Sequence, residues 1–441
     1  MSVVKSLEGR AFVEFALSIP AENGSRSSFL FNTNTTSHVR TEIKDNVSAN
    51  SAYHHRFRAK SVAVVDQVLK AAMSDGYPTL LFRVGIGVAR HTAYLPWQRH
   101  TVTNYTGIIE GIGSDSGHYF ELTTQDRLWD VDRSNKTAAH SGTISDIVAR
   151  LAANNGIEQT VIEPTQGVGV YYQVKQGDAD FIRRRILSRA VNAKGHGNYK
   201  FFMRDNALHF HTPEYHAEYK ELAFYGSGGK LLSITDNSQR LLATGISGCR
   251  AVTYDPLTGK STEDTSKPDV ATKYSDSLYK MDNIPSSQRV VNCHVGGNRE
   301  TDIQGMVQST YEAARMATFA LTFQLPKTIH IRAGDILNLL VNPETNRVSA
   351  WSGLYYVVSV TMIVDGGDLS ARVLVNRGET RKIRTDVAVQ SDEKGSRGLS
   401  GEHEAPGQPV NLKALQASTR TEGAAYSGTD ASFAPVKDPN R

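Results

Sequence analysis

The sequence predicts an α+β fold that is mostly β. Two long regions alternate apolar and polar residues, a central region repeats apolar residues at helical spacing, and the C-terminal region is polar. A period of two is typical of strands, and a period near 3.6 is typical of helices. We therefore expect a β domain at 1–140, an α/β domain at 141–229, a second β domain at 230–381 with a polar insertion at 255–300, and an extended or disordered tail at 382–441.

The composition is that of a foldable globular chain. Its 441 residues are 39% hydrophobic and 21% charged, and the net charge of +4 is mild for this length. A dedicated nucleic-acid-binding protein would concentrate more basic charge on one face. Two cysteines exclude a disulfide-rich scaffold. No apolar run reaches the roughly 18 residues of a transmembrane helix, and Lys5, Glu8 and Arg10 interrupt any signal peptide, so we expect cytoplasmic folding without membrane insertion.

The first region, 1–140, is predicted to form long strands with few helices, a pattern typical of a barrel or a curled sheet. The stretch 23–50 is rich in Ser, Thr and Asn and predicts loops or an edge ribbon. His54 and His55 are expected at the surface. We predict strands at 11–19, 80–88, 102–112 and 118–123, one amphipathic helix at 62–73, and a closing segment at 126–131.

The central region begins with a predicted helix. Thr143 is its candidate N-cap, and Asp146 three residues later completes a capping-box pattern. Gly156 is expected to end the helix in the left-handed conformation. The buried side of this helix is predicted to consist of Ile144, Ile147, Val148, Leu151 and Ala152.

A short strand at 170–174 precedes a second predicted helix. Asp178 is the candidate N-cap of this helix, and Gly195 and Gly197 are expected to end it. A hairpin is then predicted to turn at Asp205-Asn206. On the second helix we expect Phe181, Ile182, Ile186 and Ala190 to be buried and Arg183, Arg184, Arg185 and Arg189 to lie mostly on the other sides.

The second β region, 230–381, returns to alternation after its polar insertion. A helix is predicted at 301–319, a strand follows to residue 325, and Gly334-Asp335 is expected to turn the chain into a strand at 336–341. A long hairpin at 352–377 turns at Asp365-Gly366-Gly367. In its first strand, Leu354, Tyr356, Val358 and Val360 are predicted to share one face, and Tyr355, Val357, Ser359 and Thr361 the other.

The order of these elements resembles a known family. The central segments "YYQVKQGDADFIRRRI" and "YKFFMRDNALHF" are similar to the middle of baseplate hub proteins of contractile phage tails. They resemble the late control D proteins of temperate phages and the valine-glycine repeat protein G of type VI secretion. The later block, with "AGD", "GLYYV" and a closing hairpin that ends in an arginine, resembles the same families. Together the two similar regions cover much of 141–377.

The resemblance implies an architecture and a set of partners. Two tail-tube-like β-barrel domains per subunit would make a homotrimer into a pseudo-six-fold ring, with the α/β domain and the insertion outside. That ring would join the tail tube to a central spike in the virion baseplate, contact wedge proteins and the tape measure protein, and let DNA pass. The segments 336–341 and 354–360 would be core strands of the second tube-like domain.

No catalytic or cofactor motif is recognisable, so the expectation is a structural protein and not an enzyme. His209 and His211 lie two apart on a predicted strand with His216 near, a trio that could bind a metal. A structural zinc site needs a fourth ligand, however, and no cysteine lies close, so a polar sheet face without metal is expected. The run Arg183, Arg184 and Arg185 could touch nucleic acid in a channel, but such runs are more typical of a solvated or subunit-facing helix side.

Two alternative functions stay open. A secretion-system tip protein shares the predicted domains but would carry a spike β-helix in the same chain, and no repeated short β pattern follows residue 377. The spike is therefore expected to be a separate protein. A tail-associated cell-wall hydrolase would need a pair of carboxylates, which sequence alone cannot place without geometry.

Overall fold

The computed structural model of the chain describes residues 2–3, 9–19, 28–33, 36–73, 77–88, 91–110, 117–215, 219–224, 233–236, 248–254, 261–264, 290–294, 300–317, 319–341 and 351–377. These residues form a mostly β structure with a smaller helical part, which confirms the predicted α+β class. Among the described helices, none combines the length and the apolar character that a membrane-spanning segment needs. The predicted tail at 382–441 lies outside the described residues.

The first part of the chain is built from long antiparallel strands. Its apolar residues recur at every second position, so a strand places them all on one buried face. The predicted strands and the helix at 62–73 are confirmed, and the closing segment at 126–131 is a short helix. The elements are β1 (Ser2–Val3), β2 (Arg10–Ile19), β3 (Ser28–Asn32), β4 (Ser37–Asn46), β5 (Ala52–Ala59), α1 (Val62–Ala72), β6 (Thr79–Val88), β7 (His91–Tyr94), β8 (Gln98–Glu110), β9 (Gly117–Gln125) and α2 (Arg127–Asp132).

The central part contains two layers of short strands around two helical segments. Thr143 caps the first helix by accepting a hydrogen bond from the Asp146 amide at 3.1 Å, and Gly156 follows it with a φ of +69°. Both predictions are confirmed. The elements are β10 (Lys136–Thr143), α3 (Ile144–Asn154), β11 (Thr160–Ile162), β12 (Val168–Gln176), α4 (Asp178–Phe181), which continues as a π-helical turn (Ile182–Ile186) and a 3-10 turn (Leu187–Arg189), β13 (Lys200–Arg204) and β14 (Ala207–His211).

Two predictions for the second helix are wrong. Its N-cap is Gly177, because the Asp178 carboxylate is buried and accepts hydrogen bonds from Lys136, Asn155 and Gln173 instead of capping the helix. The helix also ends earlier than expected. The 3-10 turn closes at Arg189 and the backbone becomes extended at Ala190, well before the two glycines.

The last part of the described chain is again mostly β. The predicted hairpin turn is confirmed, since Gly366 and Gly367 both have positive φ angles. The insertion predicted at 255–300 lies mostly outside the described residues, but its strands Ser261–Asp264 and Val290–His294 pair with the strand Gly248–Tyr254. The elements are β15 (Tyr219–Phe224), β16 (Ser233–Asp236), β17 (Gly248–Tyr254), β18 (Ser261–Asp264), β19 (Val290–His294), α5 (Glu300–Met316), β20 (Phe319–Pro326), β21 (Ile336–Val341), β22 (Gly353–Asp365) and β23 (Asp368–Arg377).

The face assignment in β22 needs a correction. A β-bulge shifts the register between Val357 and Ser359, so the strand changes phase there. Val360 therefore lies on the same core-facing side as Tyr355 and Val357. The prediction that Val360 shares a face with Leu354 and Tyr356 is wrong. The buried side chains of β22 in the main core are Tyr355, Val357, Val360, Met362 and Val364.

One fifteen-stranded sheet joins the first and second β regions. The link is the antiparallel pairing of β4 with β22, in which Ile43 lies opposite Met362. The prediction of loops or an edge ribbon at 23–50 is therefore wrong for β4, which has a neighbour on both sides. Its buried positions are Thr41, Ile43 and Asp45, an alternation that the many polar residues concealed.

The buried apolar side chains form two clusters, one in the β regions and one in the central α/β part. One cluster runs through both β regions and contains side chains from β2, β5 and β6 as well as from β20, β22 and β23. A second cluster fills the central α/β part between α3, the helical segment after Gly177 and the β13–β14 hairpin. The domain limits given by the sequence stay predictions. The β13–β14 hairpin contacts the large sheet through polar groups at its turn, Asp205 and Asn206.

Candidate functional site

A buried network of charges lies where three parts of the chain meet. Arg332, in the connection between β20 and β21, is its centre. The Nε of Arg332 lies 3.0 Å from Oδ2 of Asp45 on β4, and its Nη1 lies 2.9 Å from Oδ1 of Asp205 in the β13–β14 turn. These pairs connect residues 287 and 127 positions apart. We call Asp45, Tyr53, Arg204, Asp205, Arg332 and Asp335 the junction network.

Further hydrogen bonds complete the junction network. Asp335 accepts one from the Arg332 amide at 2.9 Å and one from Nη1 of Arg204 at 2.7 Å. The Tyr53 hydroxyl donates to Asp45 at 2.5 Å. Each of the three carboxylates in the network is thus paired with a guanidinium. Charge-assisted bonds of this kind are shorter and stronger than neutral ones.

Local structure explains why the hairpin reaches the sheet. Asp205 and Asn206 have φ angles of +50° and +64°, as a two-residue hairpin turn of type I′ requires. The Asn206 side chain accepts from the Arg99 amide at 3.1 Å and donates to the Trp97 carbonyl at 2.8 Å. The predicted turn is therefore confirmed, and it also docks the α/β part on β8.

Burial and neighbouring charges shift the pKa values in the network. Burial alone lowers the pKa of Arg332, but the carboxylates of Asp45 and Asp205 more than offset this, so its pKa lies above the ordinary value. Burial raises the pKa of Asp335, although Arg204 opposes the shift. Burial and then Asp45 raise the pKa of Tyr53 well above its usual range. Arg332 and Tyr53 therefore hold their protons throughout the physiological range.

A pair of neutral histidines extends the network into the sheet. His100 stacks on Tyr53 with ring centroids 4.2 Å apart. His55 approaches the hydroxyls of Thr41 at 3.0 Å and Thr124 at 3.3 Å. Burial lowers the pKa of His55 to about 3 and that of His100 well below its usual range. The expectation that His55 is a surface residue is wrong, because strand alternation places it inside.

Asp126 is a buried carboxyl group beside the junction network. It caps α2 by accepting from the Leu128 amide at 3.0 Å, and it accepts from the Ser51 amide at 2.8 Å. Burial raises its pKa to about 7 in spite of these bonds. It therefore titrates in the physiological range.

A small open pocket lies at the junction, lined by Tyr53, His100, Asp126, Arg204 and Arg332 among others. The carboxylates of the junction network already bind arginines, so they are poor candidates for a general base or a nucleophile. In the part of the chain that the structure describes, no three His, Cys, Asp or Glu side chains are grouped to hold a metal ion. The arrangement suits a rigid joint between three chain regions.

The structure brings two of the three predicted histidines together. Nδ1 of His209 lies 3.1 Å from Nε2 of His211, and both rings are buried beside Phe202. Nδ1 of His211 lies 2.7 Å from the Thr212 carbonyl. His216 lies outside the described residues. The expectation that this trio binds no metal stays a prediction.

The three consecutive arginines are not equivalent. Arg183 is half-buried, donates to Asn50 and lies 3.6 Å from Asp132, so it joins the α/β part to the sheet within one chain. The expectation of a solvated side is therefore wrong for Arg183, whose side chain is only 20% exposed, and the expectation of a subunit-facing side stays a prediction. Arg184 is 73% exposed and pairs with Asp180, and Arg185 is exposed as well. These two fit the expected outer side of the helix.

A second joint holds α5 against the loop before β13. Glu312, which is fully buried, accepts from the Gly197 amide at 2.8 Å and from Gln308 at 2.5 Å. The Asn198 amide donates to Ser309 at 3.2 Å. Sequence reasoning missed this joint and the junction network. Two sequence features could have indicated these contacts. Asp45 is a charged residue at an inward-facing position of a strand, and Glu312 is a charged residue among the apolar residues of a helix.

Comparison with protein-family models gives no match. Comparison with curated proteins gives none either.

Solved structures, in contrast, share the fold over most of the chain. A tail protein from Neisseria meningitidis MC58 is 10% identical with a TM-score of 0.52, covering 82% of this chain and 96% of that one. The 43 kDa tail protein of prophage MuSo2 from Shewanella oneidensis is 9% identical with a TM-score of 0.52, covering 83% and 99%. A chain of the Francisella PdpA-VgrG complex is 9% identical with a TM-score of 0.50, covering 85% and 53%. The fold is thus that of tail proteins.

Proposed function

We propose that the chain is a structural hub of a phage tail baseplate. The observation that carries this proposal is the similarity to the Neisseria and Shewanella tail proteins, which spans nearly the whole of those chains. It agrees with the resemblance to baseplate hub proteins in the segments around 171–186 and 353–357. The location is the virion baseplate, and assembly takes place in the host cytoplasm.

The proposed assembly is a homotrimer. Its three subunits, each with two tail-tube-like β regions, form a pseudo-six-fold ring. The ring joins the six-fold tail tube to the central spike, contacts wedge proteins and the tape measure protein, and lets DNA pass. The continuous sheet across β4 and β22 supports this role, because strands paired on both sides resist separation.

The junction network supports a mechanical and non-catalytic role. Arg332 ties Asp45 in the first β region to Asp205 in the hairpin, so a force on the hairpin reaches the ring wall through charged groups. Breaking one partner of such a buried pair leaves an uncompensated charge, which is strongly unfavourable. The joint therefore keeps the α/β part in a fixed position on the ring.

A secretion-system tip protein is the second candidate. The similarity to the Francisella PdpA-VgrG chain favours it, although the chain spans about half of that protein. A spike carried on the same chain would distinguish the tip protein from the phage hub, in which the spike is a separate protein.

The first experiment is the solution mass by light scattering, with negative-stain images of the same sample. Three-subunit rings with a central hole are the expected result. A compact monomer, both alone and with the tail tube protein added, would contradict the hub. Zymography on peptidoglycan serves as the control for the hydrolase alternative, and a lytic band would contradict the structural role.

A further inference from the structure

An exposed apolar strip lies on one face of the β10–β12 ribbon. Val170, Tyr172 and Val174 alternate along β12 and are 43%, 66% and 55% exposed, and Val168 continues the row. Residues on the neighbouring strand extend the same face, since Ala139 lies opposite Tyr172 and Ser141 opposite Val170. We call Val170, Tyr172 and Val174 the β12 strip.

The other face of the ribbon shows that the β12 strip is not core. Tyr171 packs in the α/β core, and Gln173 binds Asp178 at 2.9 Å. A ribbon with one face on a core normally carries polar residues on its other face. Three large apolar side chains in a row on the outer face are typical of a surface that another segment covers.

We propose that the C-terminal segment of the same chain covers the β12 strip, with residues 410–415 in contact. This segment, "VNLKAL", is the densest aliphatic stretch in residues 378–441. Val410, Leu412 and Ala414 alternate as the strip does. An extended segment places such residues on one side with the spacing of a strand, so the two rows match in period.

The chain is long enough to reach the strip. Val410 follows Arg377, the end of β23, by 33 residues (410 − 377). A linker of that length spans at most about 110 Å. A chain of 441 residues folds to a radius of gyration of about 22 Å, so the strip is within reach from any point of the surface.

The position of β23 shortens the required path. The helix α5 contacts β23 and also the 3-10 turn at Leu187–Arg189, and the preceding π-helical turn contacts β12. The end of the described chain and the strip are therefore separated by the width of a few elements. Docking within one chain also benefits from a high effective concentration, which permits a weak interface to be occupied.

The test is photo-crosslinking in the full chain. A benzophenone amino acid is placed at Leu412, the protein is irradiated, and crosslinked peptides are mapped by mass spectrometry. Crosslinks to residues 168–176 and 136–143 are expected. The double variant Val170→Ser/Tyr172→Ser, which removes two exposed apolar contacts without touching the core, should lower their yield by at least about tenfold.

Two controls make the result specific. Met73→Ser removes a side chain that is 77% exposed elsewhere on the surface, and it should leave the crosslinks unchanged. Irradiating a mixture of unlabelled and 15N-labelled protein shows whether the segment on the strip comes from the same chain or from a neighbouring copy. Crosslinked peptides that combine both labels would show a neighbouring copy as the occupant and overturn the assignment to the same chain.

Crosslinks that avoid the ribbon, or that persist in the double variant, would also overturn the proposal. These outcomes do not depend on the hub function, because the crosslinks are measured within one chain and do not require a ring to form. A failed hub would show as a monomer without rings, with the crosslinks still in place.

Discussion

At the scale of the residue, Arg332 contributes most to the junction. Its guanidinium is almost fully buried and faces two carboxylates at 3.0 and 2.9 Å. A buried pair contributes little net stability compared with a well-packed apolar core, but removing one partner is costly. The free energy of unfolding should therefore be far more sensitive to changes at this arginine than at the exposed arginines of the same protein.

We predict that Arg332→Met lowers the free energy of unfolding by about 3–5 kcal/mol, because Asp45 is left buried without a counter-charge. Urea denaturation of the purified full chain measures this. Arg184→Met is the matched control, since Arg184 is 73% exposed and makes an ion pair with Asp180. The control should change stability by no more than about 1 kcal/mol.

Adding Asp45→Asn to Arg332→Met should recover part of the loss, because the orphaned charge is removed. The coupling between the two positions is expected at roughly 1–3 kcal/mol. Equal effects of Arg332→Met and Arg184→Met, or strict additivity in the double variant, would contradict a buried network.

Asp126 gives the molecule a pH-dependent stability. Its folded pKa of about 7 lies above the ordinary 3.8, so its contribution is fully present below about pH 4 and is lost as the pH rises through 7. Asp126→Asn removes this titration and keeps a residue that caps helices well. Between pH 5 and pH 8 we predict that the wild type loses roughly 3 kcal/mol relative to the variant.

The measurement is the free energy of unfolding of both proteins across that pH range. The buried His38 and His55, whose pKa values are lowered to about 4 and 3, act in the opposite direction and destabilise the fold as the pH falls below 6.5. Their effect is common to both proteins and cancels in the difference. A difference that does not change with pH would show that Asp126 stays ionised.

Little of this network could be predicted from the sequence. The turns at Asp205-Asn206 and Gly334-Asp335 follow from local rules, because each depends on neighbouring residues. The contact between these two turns does not follow from local rules. Asp45 and Arg332 are separated by 287 positions, and no periodic pattern connects a strand residue with a loop residue at that distance.

At the scale of the element, regular periodicity was predictable and its interruptions were not. The strands 80–88 and 336–341 follow from apolar runs, and the helix at 144–154 follows from its stripe. The bulge in β22 changes the phase of one strand, and no residue type in "YYVVSV" marks it. The strand β4 was missed because its inward positions include Thr41 and Asp45, which the sheet accepts since both find partners inside.

Helix α5 depends on one glycine for its docking. A Cβ at Gly305 would lie 2.3 Å from the Arg189 carbonyl oxygen, which is a backbone atom that cannot rotate away. Gly305→Ala gains about 1 kcal/mol in helix propensity, but the forced separation costs more. We predict a net destabilisation of roughly 1–3 kcal/mol.

Hydrogen exchange locates this effect. The Gly197 and Asn198 amides, which donate to Glu312 and Ser309, should exchange faster in Gly305→Ala. Ala313→Gly is the control, because it weakens the same helix at an exposed position by about 1 kcal/mol without a clash. If both variants change these amides equally, the close contact is not what holds the helix.

At the scale of the whole molecule, the two β regions share one sheet and one core. The fold class was predictable, because it depends on periodicity summed over long stretches. The joining of the two regions was not, because the pairing of β4 with β22 links residues more than 300 positions apart, such as Ile43 and Met362. The fold of a tail protein was nevertheless suggested by the order of elements in the centre of the chain.

The shared core leads to a prediction about cooperativity. Ile43 on β4 is 1% exposed and lies in the cluster that contains side chains of both regions. Ile43→Ala should lower the free energy of unfolding by about 2–5 kcal/mol through the lost contacts and the cavity. Because the core is continuous, amide exchange should accelerate by similar factors in β6 of the first region and in β23 of the second.

Lys44→Ala is the matched control, since Lys44 is the next residue on the same strand and its side chain is 51% exposed. It should leave both exchange rates nearly unchanged. Acceleration confined to β6 would mean that the first region opens alone and that the pairing of β4 with β22 is the weak contact between the two regions. Equal acceleration would mean that the two regions open together, as one cooperative unit with a shared core.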